Sequence, residues 1–222
     1  MSNDFTNQLY DDAYKFSMDD KEGFWTQQAE ELVWFKKFTT VIDESDEYLK
    51  RWYPDGESNI CYNAVDRHVD EGRGDLVALQ SDSVYTGKKE QFTYKEVQQH
   101  VGMLASILKE KFSIERGDRV VIYMPMVPVA AWAMLACARI GAIHSVVFGG
   151  FAAKELASRI DDCQPKLIIT CSCGLEPRKV IKYVPIVDEA LTLCERLDNA
   201  PELPRLIYNR SEKPEYIERK LN

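Results

Sequence analysis

Three short apolar runs separated by two helical segments constrain the fold of this chain more than any other feature of its sequence. In chain order, the five segments are Arg119–Met124, Val129–Ile140, His144–Phe148, Lys154–Cys163 and Lys166–Thr170. Nearly continuous apolar runs are typical of parallel strands that are covered on both faces, and apolar residues at helical spacing indicate the covering helices. The alternation predicts an α/β fold with a mainly parallel sheet flanked by helices, in which Arg119–Met124 is a central strand.

Two predicted strands end in segments that suit a ligand site. Gly149 and Gly150 follow the second strand, and Thr170–Gly174 lies at the end of the third. Because crossovers between parallel strands are right-handed, ligands are expected beyond the carboxyl ends of the strands, where both segments lie. Glycine lets the chain turn sharply or lets a ligand approach its backbone. The residues alone leave both explanations for the glycines open.

The flanking segments predict further elements. They are a helix over 17–34, a short strand over 35–41, a helix or turn over 48–53, a helix over 59–69, a hairpin over 75–94, a helix over 94–112, a helix over 184–197 and a strand over 205–209. Thr93 and Glu96 have the spacing of a capping box, which places the start of the 94–112 helix. Residues 211–222 are predicted to form a charged tail.

The composition indicates a reducing compartment and argues against nucleic-acid and membrane partners. The chain has a net charge of -8 and a pI near 5.1, without a block of Lys or Arg. This balance argues against binding to nucleic acid or to an anionic membrane surface, and no segment predicts a membrane span. The six cysteines are scattered through apolar runs, which predicts buried free thiols. Residues 1–12 lack a signal core, so we expect the cytoplasm, or the mitochondrial matrix after removal of a presequence.

A long segment of the chain resembles a known family. The run MLACARIGAIHSVVFGGF at 134–151, with Asp66-Arg67-His68 upstream, resembles the amino-terminal part of the short-chain acyl-CoA synthetases. These are the acetate and propionate CoA ligases of the adenylate-forming superfamily. The resemblance extends from about Tyr14 to about Arg210, and Gly174-Leu-Glu-Pro177 is more similar to the propionate-using branch.

The resemblance implies a division of the chain. Residues 1–70 would form a helical, aromatic-rich amino-terminal cap, residues 71–210 would form the first part of the AMP-binding domain, and 211–222 would be the tail. The fold is then a partial adenylate-forming fold.

The resemblance also implies a reaction in two steps, in which a short-chain carboxylate attacks ATP to give an acyl-adenylate and the CoA thiol then displaces AMP. The first step needs a Gly/Ser/Thr-rich loop with a Lys for the phosphates, and an acid that helps to hold Mg²⁺. The 222 residues contain no such loop and neither of the common glycine-rich nucleotide motifs. We therefore predict that ATP and Mg²⁺ bind only in the complete enzyme. These residues alone are predicted to be inactive, with no catalytic residue and no metal site.

By the same resemblance, part of the CoA surface belongs to this chain. Phe148, Gly149 and Gly150 would lie against the adenine end of CoA, where a glycine backbone admits a flat ring and Phe148 can stack on it. The alternative explanation is a turn after a strand, which is the commoner use of two glycines.

A second part of the implied CoA surface is the loop predicted after the third strand. Arg178 and Lys179 would meet the CoA 3'-phosphate, and Ile181 would make an apolar contact with CoA. Two Arg positions of the family fall at Glu176 and Lys179, so only the second keeps its charge. Solvated loop charges are the alternative for Arg178 and Lys179.

Three other groups of polar residues are predicted to have no catalytic role. Asp66-Arg67-His68 is expected to be a structural polar cluster that holds the amino-terminal cap. His144 lies in an apolar strand, where a hydrogen-bonded core imidazole is the commoner case. Cys171 and Cys173 have no second pair of ligands at zinc spacing, so two thiols at a strand end are expected.

Two functions from different classes follow. The first is the amino-terminal portion of an AMP-forming ligase that joins acetate or propionate to CoA, as a fragment or a truncated gene product. The second is a non-catalytic relative that serves as a structural or interaction subunit, with a partner docked on the apolar face that a missing half would expose.

Overall fold

The computed structural model describes residues 8–213, which belong to two compact units divided between Asn59 and Ile60. The predictions for residues 1–7, in the acidic start, and for 214–222, in the charged tail, lie outside the described residues. Within 8–213, no helix is both long enough and apolar enough to cross a membrane.

The described part of the chain contains six α-helices and ten strands. The first unit comprises α1 Gln8–Asp19, α2 Lys21–Glu30, β1 Ile42–Asp43 and β2 Arg51–Trp52. The second unit comprises β3 Val77–Asp82, β4 Lys89–Thr93, α3 Tyr94–Phe112, β5 Arg119–Met124, α4 Pro128–Ile140, β6 Ile143–Phe148, α5 Ala153–Cys163, β7 Leu167–Cys171, β8 Cys173–Glu176, β9 Lys179–Lys182, α6 Tyr183–Leu193 and β10 Arg205–Tyr208. Two π-helical turns, Tyr62–Asp66 and Val69–Arg73, precede β3, and a 3-10 turn, Ala200–Glu202, precedes β10.

A parallel sheet with the strand order β10-β7-β5-β6 forms the centre of the second unit, as far as residues 60–213 are described. The central strand β5 is buried from Val120 to Met124. Its side chains alternate between two layers, because Val120 and Ile122 pack with α3 and α4 while Val121 and Tyr123 pack with α5 and α6. The predicted α/β fold, with β5 as a central strand, is confirmed.

The two helices that cover one face of the sheet begin and end where the sequence indicates. The side chain of Thr93 accepts a hydrogen bond from the Glu96 backbone N–H, and Glu96 accepts one from the Thr93 backbone N–H, which completes the predicted capping box. Helix α4 has Pro128 in its first turn and ends at Gly141, which has a φ of 75°. Only glycine adopts this left-handed conformation without strain, so its position after the last apolar residue is explained.

Two antiparallel hairpins flank the sheet, and the sequence predicts one of them. Strands β3 and β4 pair as expected, with a bulge after Val77. The segment after β7 was predicted to be a loop, and that prediction is wrong, because β8 and β9 pair from Cys173↔Lys182 to Glu176↔Lys179. Each of these strands has four residues, which is too short for an alternating pattern to distinguish it from a loop.

The first unit differs most from the sequence prediction. The helix predicted over 17–34 is two helices, because the Asp20 side chain accepts the backbone N–H of Gly23 and begins α2 there. The strand predicted over 35–41 is absent from the described structure apart from one bridge between Lys36 and Glu57. The backbone N–H groups of Thr39 and Thr40 instead donate to the Asp55 carboxylate at 2.9 and 3.1 Å. The segment 48–53, predicted to be a short helix or a turn, contains strand β2.

Candidate functional site

A cleft of about 550 Å³ lies at the carboxyl ends of β5, β6 and β10. The last residues of these strands, Met124, Phe148 and Tyr208, all line it, and the hairpins β3–β4 and β8–β9 form two of its sides. Parallel strands present their carboxyl ends at one edge of the sheet, which is where ligands bind in open α/β folds. The cleft is therefore the candidate functional site.

Four of the six residues predicted to contact CoA line this cleft: Phe148, Gly149, Gly150 and Ile181. The other two, Arg178 and Lys179, line an adjoining shallow cavity of about 430 Å³. Leu175, Glu176 and Tyr85 line both cavities, so the two adjoin each other. The structure brings the six residues together along one edge, and their role as ligand contacts stays a prediction.

Gly149 is required by the packing of the protein itself. A Cβ atom at this position would overlap the Tyr183 hydroxyl and would lie 2.8 Å from the carbonyl oxygen of Met124. A Cβ on Gly174 would lie 2.6 Å from the Tyr183 ring. The φ angle of Gly149 is not positive, so this glycine is not needed for a left-handed turn. Its lack of a side chain instead leaves space for the buried Tyr183 ring between β6 and β8.

Phe148 presents its ring to solvent at the edge of the cleft. Phe148 is 69 % exposed, and its ring contacts that of Phe151 edge-on at a centroid distance of 5.7 Å. A Cβ on Gly150 would lie 2.6 Å from the Phe148 ring, which can rotate away. One face of an exposed aromatic ring is available for stacking with a flat ligand.

The two predicted phosphate contacts, Arg178 and Lys179, lie at the solvent-exposed tip of the β8–β9 hairpin. The Lys179 ammonium lies 3.4 Å from the Glu176 carboxylate, and the two side chains are 66 % and 43 % exposed. Glu176 occupies the position where the resemblance expects a second Arg. Lys179 is therefore paired within the hairpin, and the exposed Arg178, in the turn between β8 and β9, is the second cation at this tip.

Sequence reasoning missed an aromatic wall of the cleft, which Phe92, His100 and Trp132 form. His100 stacks on Trp132 with ring centroids 4.0 Å apart and an angle of 9°, and Phe92 meets Trp132 edge-on at 5.4 Å. The three residues come from β4, α3 and α4, so long-range packing assembles the wall. The available signal was weak, since Trp132 is an aromatic residue among the small side chains of α4.

The cleft also contains charged residues that the sequence did not single out. Arg210 is 7 % exposed, and its Nε lies 3.5 Å from Glu212. Glu212 in turn lies 3.2 Å from the Lys88 ammonium. Burial alone would raise the pKa of Glu212, but its backbone hydrogen bond and the bond from Lys88 hold that pKa below its usual value. Glu212 is therefore the carboxylate of a small ion network.

The contacts of Asp66 are those of a residue with a structural role. Its carboxylate accepts hydrogen bonds from Arg139 at 2.6 and 2.7 Å and from the Gln98 amide at 2.8 Å, which joins the π-helical turn to α3 and α4. His68, two residues after Asp66, packs its ring against Tyr94 with the ring centroids 4.5 Å apart. Neither residue lines the cleft.

The environments of His144 and of the cysteines do not favour a reactive role either. His144 is half-buried in β6, and burial lowers its pKa. All six cysteines are free, and Cys61, Cys137, Cys171 and Cys173 are buried, as predicted. Burial raises the pKa of Cys171 to about 11 and that of Cys137 to about 12, which disfavours the nucleophilic thiolate. Among residues 8–213, no cluster of His, Cys, Asp and Glu could hold a metal ion.

Two family models match the chain in succession. Residues 10–64 match the acetyl-coenzyme A synthetase N-terminus, and residues 65–220 match the AMP-binding enzyme family. The second match alone covers more than half of the chain.

Curated relatives and a solved structure agree with these matches. The chain is 49 % identical over 201 residues to the human mitochondrial acyl-CoA synthetase short-chain family member 3, covering 90 % of this chain and 29 % of that protein. It is 45 % identical over 189 residues to the acetyl-coenzyme A synthetase of Rhizobium rhizogenes, covering 84 % of this chain and 29 % of that protein. The acetoacetyl-CoA synthetase of Streptomyces lividans, 22 % identical, superposes with a TM-score of 0.75 over 88 % of this chain and 29 % of that one, which establishes a shared fold. The chain thus spans about 29 % of the length of these relatives.

Proposed function

Because the chain belongs to the AMP-binding enzyme family and its first residues match the acetyl-coenzyme A synthetase N-terminus, we propose that it acts as the amino-terminal portion of an AMP-forming short-chain acyl-CoA ligase. Acetate or propionate, ATP and CoA would be the substrates of the complete enzyme. The residues 71–210 would be the first part of its AMP-binding domain, after a cap formed by 1–70.

The observation that carries the proposal is the cleft at the carboxyl edge of the parallel sheet. Phe148 exposes an aromatic ring there, beside the glycine backbone of Gly149 and Gly150, and Ile181 adds an apolar contact from β9. A flat heteroaromatic ring such as adenine fits an exposed phenyl ring next to backbone without side chains. The space above Gly149 is already occupied by Tyr183 and Met124, so we assign the stacking contact to Phe148.

The chemistry that would activate the carboxylate lies outside these residues in our proposal. The sequence contains no phosphate-binding glycine-rich loop with its Lys, and the described residues contain no acidic cluster for Mg²⁺. ATP and Mg²⁺ would supply the adenylate in the complete enzyme. We therefore propose that the 222 residues contribute binding surface for CoA and do not form an adenylate alone.

The test has two arms on the 222-residue chain. Calorimetric titration with CoA should show binding that Phe148→Ala weakens about two- to tenfold, which is the value of one aromatic stacking contact. Ile143→Ala is the matched control, because Ile143 is an exposed residue at the opposite end of the same strand. Absence of CoA binding would contradict the CoA surface, and pyrophosphate release from ATP with propionate or acetate would contradict the inactivity.

A second candidate function is favoured by the exposed apolar edge of the sheet. Ile143, Val146 and Phe148 of the edge strand β6 are 55 %, 55 % and 69 % exposed. Exposed edge strands with apolar side chains pair readily with other chains. A truncated, non-catalytic relative could therefore serve as an interaction subunit of a larger assembly, and stoichiometric recovery of the chain in such an assembly would favour this function over the first.

The same relatives support a proposal for the cellular location of the chain. One of the relatives is named as mitochondrial, and another is a bacterial acetyl-coenzyme A synthetase. We propose the mitochondrial matrix or the cytoplasm, where the predicted free thiols stay reduced. Fractionation that places the chain in an oxidising compartment would contradict this location.

A further inference from the structure

Arg210 is a buried cation in the wall of the cleft. The residue follows β10, is 7 % exposed and lines the cleft together with Tyr208 and Glu212. Its side chain makes one weak contact with protein in the described structure, from Nε to Glu212 Oε2 at 3.5 Å. A guanidinium has five N–H donors, so this contact leaves most of them without an acceptor from residues 8–213.

Arg139 shows what a structural arginine looks like in the same unit. Its Nη2 donates to both oxygens of Asp66 at 2.6 and 2.7 Å, and that side chain is 29 % exposed. Arg210 is more deeply buried, with an 8 % exposed side chain, and has the longer contact. Because a buried charge is costly unless it is paired and hydrogen-bonded, the environment of Arg210 is incomplete as a structural ion pair.

Glu212 does not neutralise Arg210 alone. Its carboxylate is shared with Lys88, whose ammonium lies closer, at 3.2 Å. Lys88 is also 3.9 Å from Glu90 on the β3–β4 hairpin. The carboxylate that contacts Arg210 is thus shared with a second cation, which lies closer to it.

The rest of the cleft suits a flat apolar body. The stacked His100 and Trp132 rings, with Phe92 edge-on to Trp132, line the same cavity as Arg210. Apolar walls with a few placed polar groups are typical of small-molecule sites, and a volume of about 550 Å³ accommodates a drug-sized ligand.

We propose that Arg210 makes this cleft a binding site for organic anions, in which the guanidinium receives a phosphate or carboxylate group and the aromatic wall receives a planar body. A guanidinium binds both oxyanions through paired N–H donors, so the two head groups share one chemistry. The inference requires neither CoA nor a ligase activity, since it depends on the cleft alone.

The test is calorimetric titration of the 222-residue chain with phenyl phosphate, with benzoate and with the neutral benzyl alcohol. Arg210→Gln should weaken at least one anion about tenfold or more, as expected for a charge-assisted hydrogen bond, and should leave benzyl alcohol unchanged. Arg159→Gln is the matched control, because Arg159 is an exposed arginine on α5 outside the cleft. Tighter binding of phenyl phosphate assigns the head group to phosphate, and tighter binding of benzoate assigns it to carboxylate.

Two further variants keep the proposal testable if Arg210→Gln fails to fold by circular dichroism. Glu212→Gln retains Arg210 and removes its competing carboxylate, so it should bind the preferred anion about three- to tenfold more tightly. Arg210→Lys retains the charge and loses the fork, so it should bind more weakly than wild type but still prefer the anion to benzyl alcohol. The proposal is overturned if wild type binds neither anion, if a folded Arg210→Gln binds both as wild type does, or if Glu212→Gln leaves anion affinity unchanged. None of these outcomes depends on whether CoA binds.

Discussion

The interior of the second unit and the tip of the β8–β9 hairpin both carry an ion pair, and the two pairs have opposite surroundings. Asp66 and Arg139 have side chains that are 12 % and 29 % exposed, and their contacts are 2.6 and 2.7 Å long. Glu176 and Lys179 are 43 % and 66 % exposed, and their contact is 3.4 Å long. The first pair joins a π-helical turn to α4, whereas the second spans only the two-residue turn between β8 and β9.

The comparison teaches that burial, rather than residue type, separates structural charges from charges that are free to meet a ligand. A buried pair is fixed because loss of one partner leaves an uncompensated charge. A solvated pair contributes little to folding and can be exchanged for contact with a ligand. Arg210 differs from both pairs, since it combines burial with one long contact, from Nε to Glu212 at 3.5 Å.

The largest effect should come from breaking the interior pair. Asp66→Asn removes the charge that both Arg139 and Gln98 contact, so we expect the free energy of unfolding to fall by about 3 kcal/mol. Urea unfolding followed by circular dichroism measures the change. Glu176→Gln is the matched control and should alter the same quantity by less than about 0.5 kcal/mol, because its pair is solvated. Equal losses in the two variants would remove the distinction between the two regions.

The same distinction explains which features of the structure could be predicted from the sequence. The run at β5 and the Thr93–Glu96 capping box are local patterns, and they predict the sheet and the start of α3 correctly. The β8–β9 hairpin is held by pairing between short segments, and its strands carry no pattern of their own. Long-range packing determines burial, so a lone Arg210 after a short strand could not be distinguished from a surface cation.

The cleft was therefore predictable in position and not in composition. Gly149 and Gly150, at the end of a strand, lie at the edge of the sheet where the cleft is found. The aromatic wall brings together Phe92, His100 and Trp132 from three separate elements, and no spacing in the sequence relates them.

Ionisation of the Cys194 thiol, which packs between α5 and α6, gives a second test of the difference between buried and solvated charges. Burial, together with the nearby Asp161 carboxylate, raises the pKa of Cys194 to about 11. An unfolded cysteine has a pKa of about 8.5, so the native thiolate at pH 8 should be on the order of 100-fold scarcer. Alkylation of Cys194 by iodoacetamide, measured by peptide mass spectrometry, should rise about tenfold per pH unit from pH 7 to pH 9 without a plateau.

The same shift has a consequence for stability. The folded state favours the neutral thiol, so this contribution is fully present below about pH 8.5 and is lost as the pH rises toward about 11. The urea-unfolded chain is the control for the alkylation measurement and should plateau above about pH 9. A plateau at the same pH in the native chain would show that the α5–α6 layer does not exclude charge.

A smaller effect should come from the packed side of the cleft. Gly149→Ala forces a methyl group against the Met124 carbonyl and the Tyr183 hydroxyl, and we expect it to lower the free energy of unfolding by about 2 kcal/mol. Gly150→Ala is the matched control at the next residue, because the Phe148 ring can rotate away, and it should cost less than about 1 kcal/mol. If Gly150→Ala proved the more costly substitution, the cleft edge would be fixed by Phe148 rather than by Tyr183.

The smallest effect should appear at the hairpin tip, as a change in ligand preference and not in stability. Glu176→Gln releases Lys179 from its partner, so the tip should gain attraction for a phosphate, worth about a two- to threefold tighter affinity for CoA than for dephospho-CoA. Calorimetry on the 222-residue chain with both ligands measures the ratio, and the double variant Glu176→Gln with Lys179→Gln is the control that should abolish the gain. An unchanged ratio in Glu176→Gln would mean that Lys179 does not face the phosphate, because the removal of a solvated partner leaves its own charge and position intact.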